Sequence, residues 1–331
     1  MSNLEYPSSV ELAHLPTPLT PLERLSARLG AEVLCKRDDL TGAPLSGNKV
    51  RKLEFLMADA LDRSSPGVVT CGGEQSNHAR ATAIAAARLG LKSHLLLRTA
   101  DPKNPPALEG NILLDRLVGA SIRWISREQW KERDALMASD AQGLAASWGG
   151  APYVIPEGGS DAVGAWGYVR CVAELAEQLG AVPATIVYAT GSGGTGAGLI
   201  AGCRLLDLPY RLVGVCVCDG RAYFQRRITE ILAQMSARYG VDVTTDAEGI
   251  EIWENYVGRG YALSREEELR CLIDAARLEG LLLDPVYTGK AFYGLLTELK
   301  NGRALGGPVV FLHTGGIYGL FPKAAELAPL L

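Results

Sequence analysis

The feature that most constrains this chain is an alternation. Short, apolar, largely β-branched runs recur along it: EVLCK (32–36), GVVTC (67–71), SHLLLR (93–98), SIRWIS (121–126), PYVIP (152–156), TIVYA (185–189), RLVGVCV (211–217) and PVVFL (308–312). Between them lie segments of helical spacing at 48–63, 77–89, about 108–118, 128–147 and, after a glycine-rich stretch at 157–168, up to about 179. Thr20–Glu23 reads as a capping box for an earlier helix that Gly30 closes. Parallel strands need crossover connections, so strands alternating with helices predict an α/β fold of parallel sheets covered on both faces. At 331 residues the chain exceeds what one core usually covers. Two three-layer domains are therefore expected: a small one over 47–157 and a large one combining 1–46 with 158–331.

Other properties narrow the function. The net charge is −4 and there is no long basic run, which argues against a nucleic-acid partner. No apolar stretch reaches the roughly 18 residues that span a bilayer, and the proline-broken N-terminus does not read as a signal peptide. Seven scattered cysteines without a CxxC suggest reduced, buried thiols and a cytoplasmic protein. The four histidines lack helical partners at three or four residues, so no metal site is expected.

In sheets of this kind, ligands sit where loops leave the carboxyl ends of strands. Five stretches stand there or beside it. In LSGNKVRKLEF (45–55), helical spacing aligns Lys49 with Leu53, Leu56 and Ala60 on the apolar face, and leaves Arg51 and Lys52 as ordinary helix-face cations. A lysine in the first turn meets the positive end of the helix, and burial disfavours its charge further. Both effects favour the neutral, nucleophilic amine. Snorkelling of Lys49 to solvent stays open as the alternative. In TCGGEQSNHAR (70–80), a strand turns through glycines into a helix whose free N–H groups suit a carboxylate, with Ser76 or Asn77 as N-cap.

In YATGSGGTGAG (188–198), glycines let backbone amides close on a phosphate, with Ser192 and Thr195 adding hydroxyls. No lysine follows, so it is not a P-loop. However, Gly191, Gly193 and Gly196 satisfy G-x-G-x-x-G with Asp219 downstream, which keeps an NAD-dependent dehydrogenase as a competing reading. In LLLDPVYTGKAF (281–292), Tyr287 is either pocket or core, and Lys290 reads as a surface residue. In VVFLHTGG (309–316), Thr314 follows a buried strand, either to meet a ligand or to cap a helix.

Taken together, GNKVRKLEF, QSNHAR, TGSGGTGAG, LLLDPVYTGKA and FLHTGG stand in the order and spacing of a known group. From about Leu15 to Pro322 the chain resembles the pyridoxal-phosphate (PLP) enzymes of the aminocyclopropane-carboxylate deaminase and D-cysteine desulfhydrase family, which have the tryptophan-synthase β-like fold (type II). The resemblance implies that Lys49 anchors PLP covalently and that Asn77 holds its ring hydroxyl. It implies that Gly191, Ser192, Gly193, Gly194 and Thr195 cradle its phosphate and that Thr314 meets its ring nitrogen. Ser76, with the amides of Asn77 and His78, would bind a small amino-acid substrate by its carboxylate, with Thr288 beside it. Tyr261 and Tyr287 would face the reacting carbons. Thr288 stands where deaminases typically carry Glu, which favours α,β-elimination with D-cysteine desulfhydrase-like products over cyclopropane opening or release of sulfite from L-cysteate. Relatives are usually homodimers. Glu74, Ala81, Gly196, the run SDAVGAWGY and Ile317-Tyr318 depart from the family pattern around the pocket.

Overall fold

The computed structural model describes residues 4–331. The chain opens with β1 (Leu19–Pro21), α1 (Glu23–Leu29), β2 (Val33–Lys36) and α2 (Asn48–Asp62). It continues through β3 (Gly67–Gly73), α3 (Asn77–Arg88), β4 (Lys92–Arg98), α4 (Gly110–Leu117), β5 (Ser121–Ile125), α5 (Arg133–Trp148) and β6 (Tyr153–Val154). Then come α6 (Trp166–Leu179), β7 (Ala184–Thr190), α7 (Gly194–Leu205), β8 (Tyr210–Cys216), α8 (Arg221–Tyr239) and β9 (Ile252–Trp253). The last elements are α9 (Glu266–Glu279), α10 (Thr288–Lys300), β10 (Val309–Leu312) and α11 (Ala324–Leu327). The expected capping box does not form: Thr20 pairs with Cys35 in the sheet, and α1 starts from Leu22 without a side-chain cap. Gly30 does close α1, in the left-handed conformation that glycine adopts freely.

The strands form two sheets. The larger has the order β1-β2-β10-β7-β8-β9, with only β1 antiparallel to its neighbour; the smaller has the order β5-β4-β3-β6 and is parallel throughout. Alternation along β7 shows why each sheet needs two helical layers. Ile186 and Tyr188 pack with Tyr168, Cys171, Leu175, Leu199 and Cys203 of α6 and α7. Val187 and Ala189 face the other way, towards Leu269, Leu272, Phe292 and Leu295 of α9 and α10. The small sheet repeats the pattern, with α5 on one face and α3 on the other.

α2 is enclosed. Val50, Leu53, Phe55, Leu56, Met57 and Ala60 share one core with Ala81 and Ile84 of α3, Trp166 and Val169 of α6, and Phe224 and Ile228 of α8. Neighbours cover the helix along most of its length and leave only its last residues, Leu61 and Asp62, exposed. Arg51 and Lys52 are therefore buried, against the expectation for helix-face cations. Arg51 is satisfied by Asp38 (2.8 Å) and Glu174 (2.7 Å), and Lys52 by the Gly158 carbonyl (3.1 Å) and Ser160 Oγ (3.2 Å). Lys290 is buried too, its Nζ donating to the carbonyls of Val257 and Gly260 at 2.6 Å each. All seven cysteines are free thiols, and only Cys218 is not fully buried.

Candidate active site

A cavity of about 690 Å³, counting its opening to solvent, lies between the carboxyl ends of the two sheets. Lys49, Ser76, Asn77, His78, Gly191, Ser192, Gly193, Thr195, Tyr261, Tyr287 and Thr314 all line it. Gly194 stands directly behind as the first residue of α7. Thr288 does not reach the cavity: its hydroxyl is 2.7 Å from Asp284 Oδ1, deep in the protein, because it occupies the first turn of α10 that Asp284 caps. Asp219 of the dinucleotide reading is also outside the lining.

The start of α2 places Lys49. Gly47 is left-handed (φ 94°), and a Cβ there would stand 2.7 Å from the Thr314 carbonyl oxygen. That oxygen accepts from Asn48 N at 3.1 Å, so the loop after β10 is joined to the first turn of α2. Asn48 Nδ2 donates to Thr195 Oγ1 at 3.2 Å and ties the same turn to α7. Lys49 Nζ has one weak contact, to Asn48 Oδ1 at 3.3 Å. Burial pushes its pKa down to about 8, against the opposing fields of Glu157 and Asp284. The neutral fraction of the amine near physiological pH is thus far larger than that of an ordinary lysine.

Ser76 is the N-cap of α3 and accepts from Ala79 N at 3.1 Å. The chain passes so closely that a Cβ on Gly72 would fall 2.3 Å from Ser76 Oγ. The first N–H groups of α3 and of α7 have no acceptor within their own helices. At α7, Gly193 adopts φ 87°, which turns the loop onto the helix start. Lys52 stands just behind: a Cβ on Gly194 would lie 2.8 Å from its Nζ. Ser160 Oγ links Lys52 to Ser192 Oγ, which is 2.8 Å away. Amides and the hydroxyls of Ser192 and Thr195 therefore converge on one part of the cavity, with Ser160 and the Lys52 amine behind them, a donor set that suits a phosphate dianion. Lys52 and Ser160 were not legible as site residues. The only sequence signal for Ser160 is the glycine-rich run at 157–160.

The Tyr287 ring lies beside Gly191, and the Tyr261 and Tyr287 hydroxyls are 2.8 Å apart. Burial raises both pKa values, that of Tyr261 to about 12, so both remain protonated phenols. Asp284 fixes Tyr287 by accepting from the amides of Val286, Tyr287 and Thr288 at 3.0, 3.0 and 2.8 Å. Glu157 also lines the cavity and pairs with Arg133 at 3.2 Å.

Two buried polar atoms of the lining, Thr190 Oγ1 and His78 Nδ1, have no partner among the described residues. Together with the glycine cradle at 191–194 and the amine of Lys49, they fit a phosphorylated aromatic aldehyde. No group of three or more metal-ligating side chains occurs among the described residues, nor a helix long and apolar enough to cross a membrane.

Comparison with known proteins agrees with this geometry. Residues 10–315 match the family model described as pyridoxal-phosphate dependent enzyme. The chain is 42% identical to the bifunctional D-cysteine desulfhydrase/1-aminocyclopropane-1-carboxylate deaminase of Arabidopsis thaliana, over 97% of this chain and 81% of the relative. It is 40% identical to the D-cysteine desulfhydrase of Salmonella choleraesuis, over 94% and 95%. A solved aminocyclopropane-carboxylate deaminase homologue superposes with a TM-score of 0.90 at 38% identity, covering 99% of this chain and 97% of that one. The type II fold, the PLP cofactor and the enzyme class follow from these matches, and the chain belongs to the pyridoxal-phosphate dependent enzymes.

Proposed function

We propose that the protein is a lyase catalysing α,β-elimination on a small β-substituted amino acid, with D-cysteine and water giving pyruvate, ammonia and hydrogen sulfide. The observation that carries this reading is the meeting, in one cavity, of a readily deprotonated amine, Lys49, with a hydrogen-bonded pair of protonated phenols, Tyr261 and Tyr287. PLP, when bound, supplies the electron sink for negative charge at the substrate α-carbon. The rest falls to the chain. Ser76 Oγ and the free amides at the start of α3 hold the substrate carboxylate. Lys49 Nζ takes the α-proton in its neutral form. A phenol at Tyr261 or Tyr287 gives a proton to the departing β-substituent. Lys52, Ser160, Ser192, Thr195 and the amides of 191–195 hold the phosphate.

The family resemblance at position 288 favours elimination over ring opening; Thr288 itself, tied to Asp284, lies outside the cavity, whose lining carboxylate is Glu157. Cyclopropane opening remains the second reading, favoured by the bifunctional relative's name. A panel of D- and L-β-substituted amino acids, cysteate and aminocyclopropane carboxylate, assayed together for keto acid, sulfide and sulfite, separates them. Pyruvate with sulfide from D-cysteine is expected. 2-Oxobutyrate from aminocyclopropane carboxylate, or sulfite from cysteate, transfers the assignment to those reactions, and no keto acid from any member overturns the proposal. The family resemblance further supports a homodimer, and the scattered free thiols a cytoplasmic protein; light scattering at about twice the 35.3 kDa chain mass checks the assembly.

A further inference from the structure

Asn77 lines the cavity, and its side-chain oxygen accepts from Asn111 Nδ2 at 3.1 Å. Which end of an amide faces which neighbour is decided by its hydrogen-bond network. Here the network begins at a group that can only donate. Arg80 is fully buried; its Nε donates to Asn111 Oδ1 at 3.1 Å, and its terminal nitrogens donate to the carbonyls of Pro44 and Ser46. Asp115, whose field reaches Arg80, takes no hydrogen bond, so the short-range partners of the guanidinium are neutral oxygens. Asn111 Oδ1 is thereby the acceptor, and its Nδ2 turns to the Gln75 carbonyl (3.0 Å) and to Asn77 Oδ1. Reversing Asn111 would set N–H against N–H at Arg80 and oxygen against oxygen at Gln75. Reversing Asn77 would set N–H against N–H at Asn111. The backbone N of Asn111 also donates to Gln75 Oε1 at 2.9 Å, which fixes it at the start of α4.

We propose that Arg80 and Asn111 are positioning residues that lock the Asn77 amide with its N–H groups towards the cavity, where one donates to the cofactor ring oxygen beside the carbon that Lys49 attacks. The inference rests on the assignment of this cavity to PLP. A donor there stabilises the deprotonated, visible-absorbing form of the bound cofactor. An acceptor there obliges the ring oxygen to keep its proton, which moves absorbance to the near ultraviolet.

The test is Asn111→Asp. A carboxylate keeps the Arg80 contact but cannot donate, so Asn77 must turn its nitrogen to residue 111 and its oxygen to the cofactor. The expected result is about a tenfold rise in the PLP dissociation constant and transfer of visible intensity to the near-ultraviolet band. Asn111→Ser unlocks Asn77 without reversing it; affinity should fall about threefold with the visible band retained. Wild-type affinity and spectrum in a folded Asn111→Asp protein overturn the proposal, as does the same loss in both variants with no change of band. If the Asp variant does not fold, wild-type affinity in the Ser variant overturns it. Wild-type protein that takes up no PLP overturns the cofactor assignment instead, so the two failures are distinct.

Discussion

Lys49 and Lys52 stand one helical turn apart, and both are amines whose charge burial disfavours. Lys49 titrates at about 8, and Lys52 is pushed well below the ordinary lysine value by burial and by the neighbouring Lys49 charge. Lys49 opens on the cavity, whereas Lys52 is locked behind the start of α7. Their variants should therefore differ. Lys49→Ala should leave no cofactor that borohydride can fix to the chain, by mass spectrometry. Lys52→Met should keep that link but weaken phosphate binding about tenfold, as loss of a hydrogen bond to a charged group implies; equilibrium dialysis with PLP checks this. The titration of Lys49 gives a pH prediction. Below pH 8 most of the amine carries a proton, so covalent uptake of PLP by the apoprotein should accelerate about tenfold per unit and level off above 8. A stopped-flow rate that stays flat from pH 6 to 9 would refute the assignment.

At the scale of elements, α2 is both the carrier of Lys49 and the centre of the shared core. Its first turn is spliced to the Thr314 loop through Gly47, so Gly47→Ala forces a Cβ onto the Thr314 carbonyl and moves Lys49 or Thr314. Loss of PLP affinity should exceed loss of melting temperature. Further along, Leu56→Ala should cost about 2–5 kcal/mol in chemical denaturation, since Leu56 is fully enclosed. The contrast explains what the sequence did and did not disclose. Runs such as TIVYA and SHLLLR were legible because β-branched and leucine-rich segments bounded by glycine or proline have few other uses. β1 and β9, with three and two residues, are too short to show a period. Arg51 and Lys52 lack the solvated face that helical spacing implies, because neighbouring elements cover α2 everywhere but its last residues, Leu61 and Asp62. Glycine loops at helix starts revealed the stretches around Ser76 and Ser192. Asn111 joins the site only by tertiary contact, and Glu157 and Ser160 lie in a glycine-rich run, 157–160, that does not lead directly into a helix.

At the scale of the molecule, buried charges decide how stability follows pH. Arg51 binds Asp38 and Glu174, Tyr168 donates to Asp38 at 2.7 Å, and Lys36 reaches Glu174 at 2.8 Å, joining β2, α2 and α6. Burial alone raises the two carboxyl pKa values, but Arg51 and the other donors more than offset it and hold both below their ordinary values. Their contribution is present above the unfolded pKa and disappears as pH falls through the folded one. Arg51→Met would leave Asp38 without its ion-pair partner and Glu174 with Lys36 alone, and cost about 3–5 kcal/mol. Asp115 has the opposite sign. Both its oxygens are buried without a partner, and burial raises its pKa to about 8 despite Arg80 and Arg116. The folded state therefore holds a proton that the unfolded chain has released between its ordinary value of 3.8 and about 8, so stability falls as pH rises through that window. Asn has the shape of the protonated acid and no such proton. Asp115→Asn should match the wild type in denaturation at pH 4. It should then gain on it steadily, by an amount on the order of several kcal/mol at pH 8. Curves that stay parallel from pH 4 to 8 would show that Asp115 remains ionised in the folded protein.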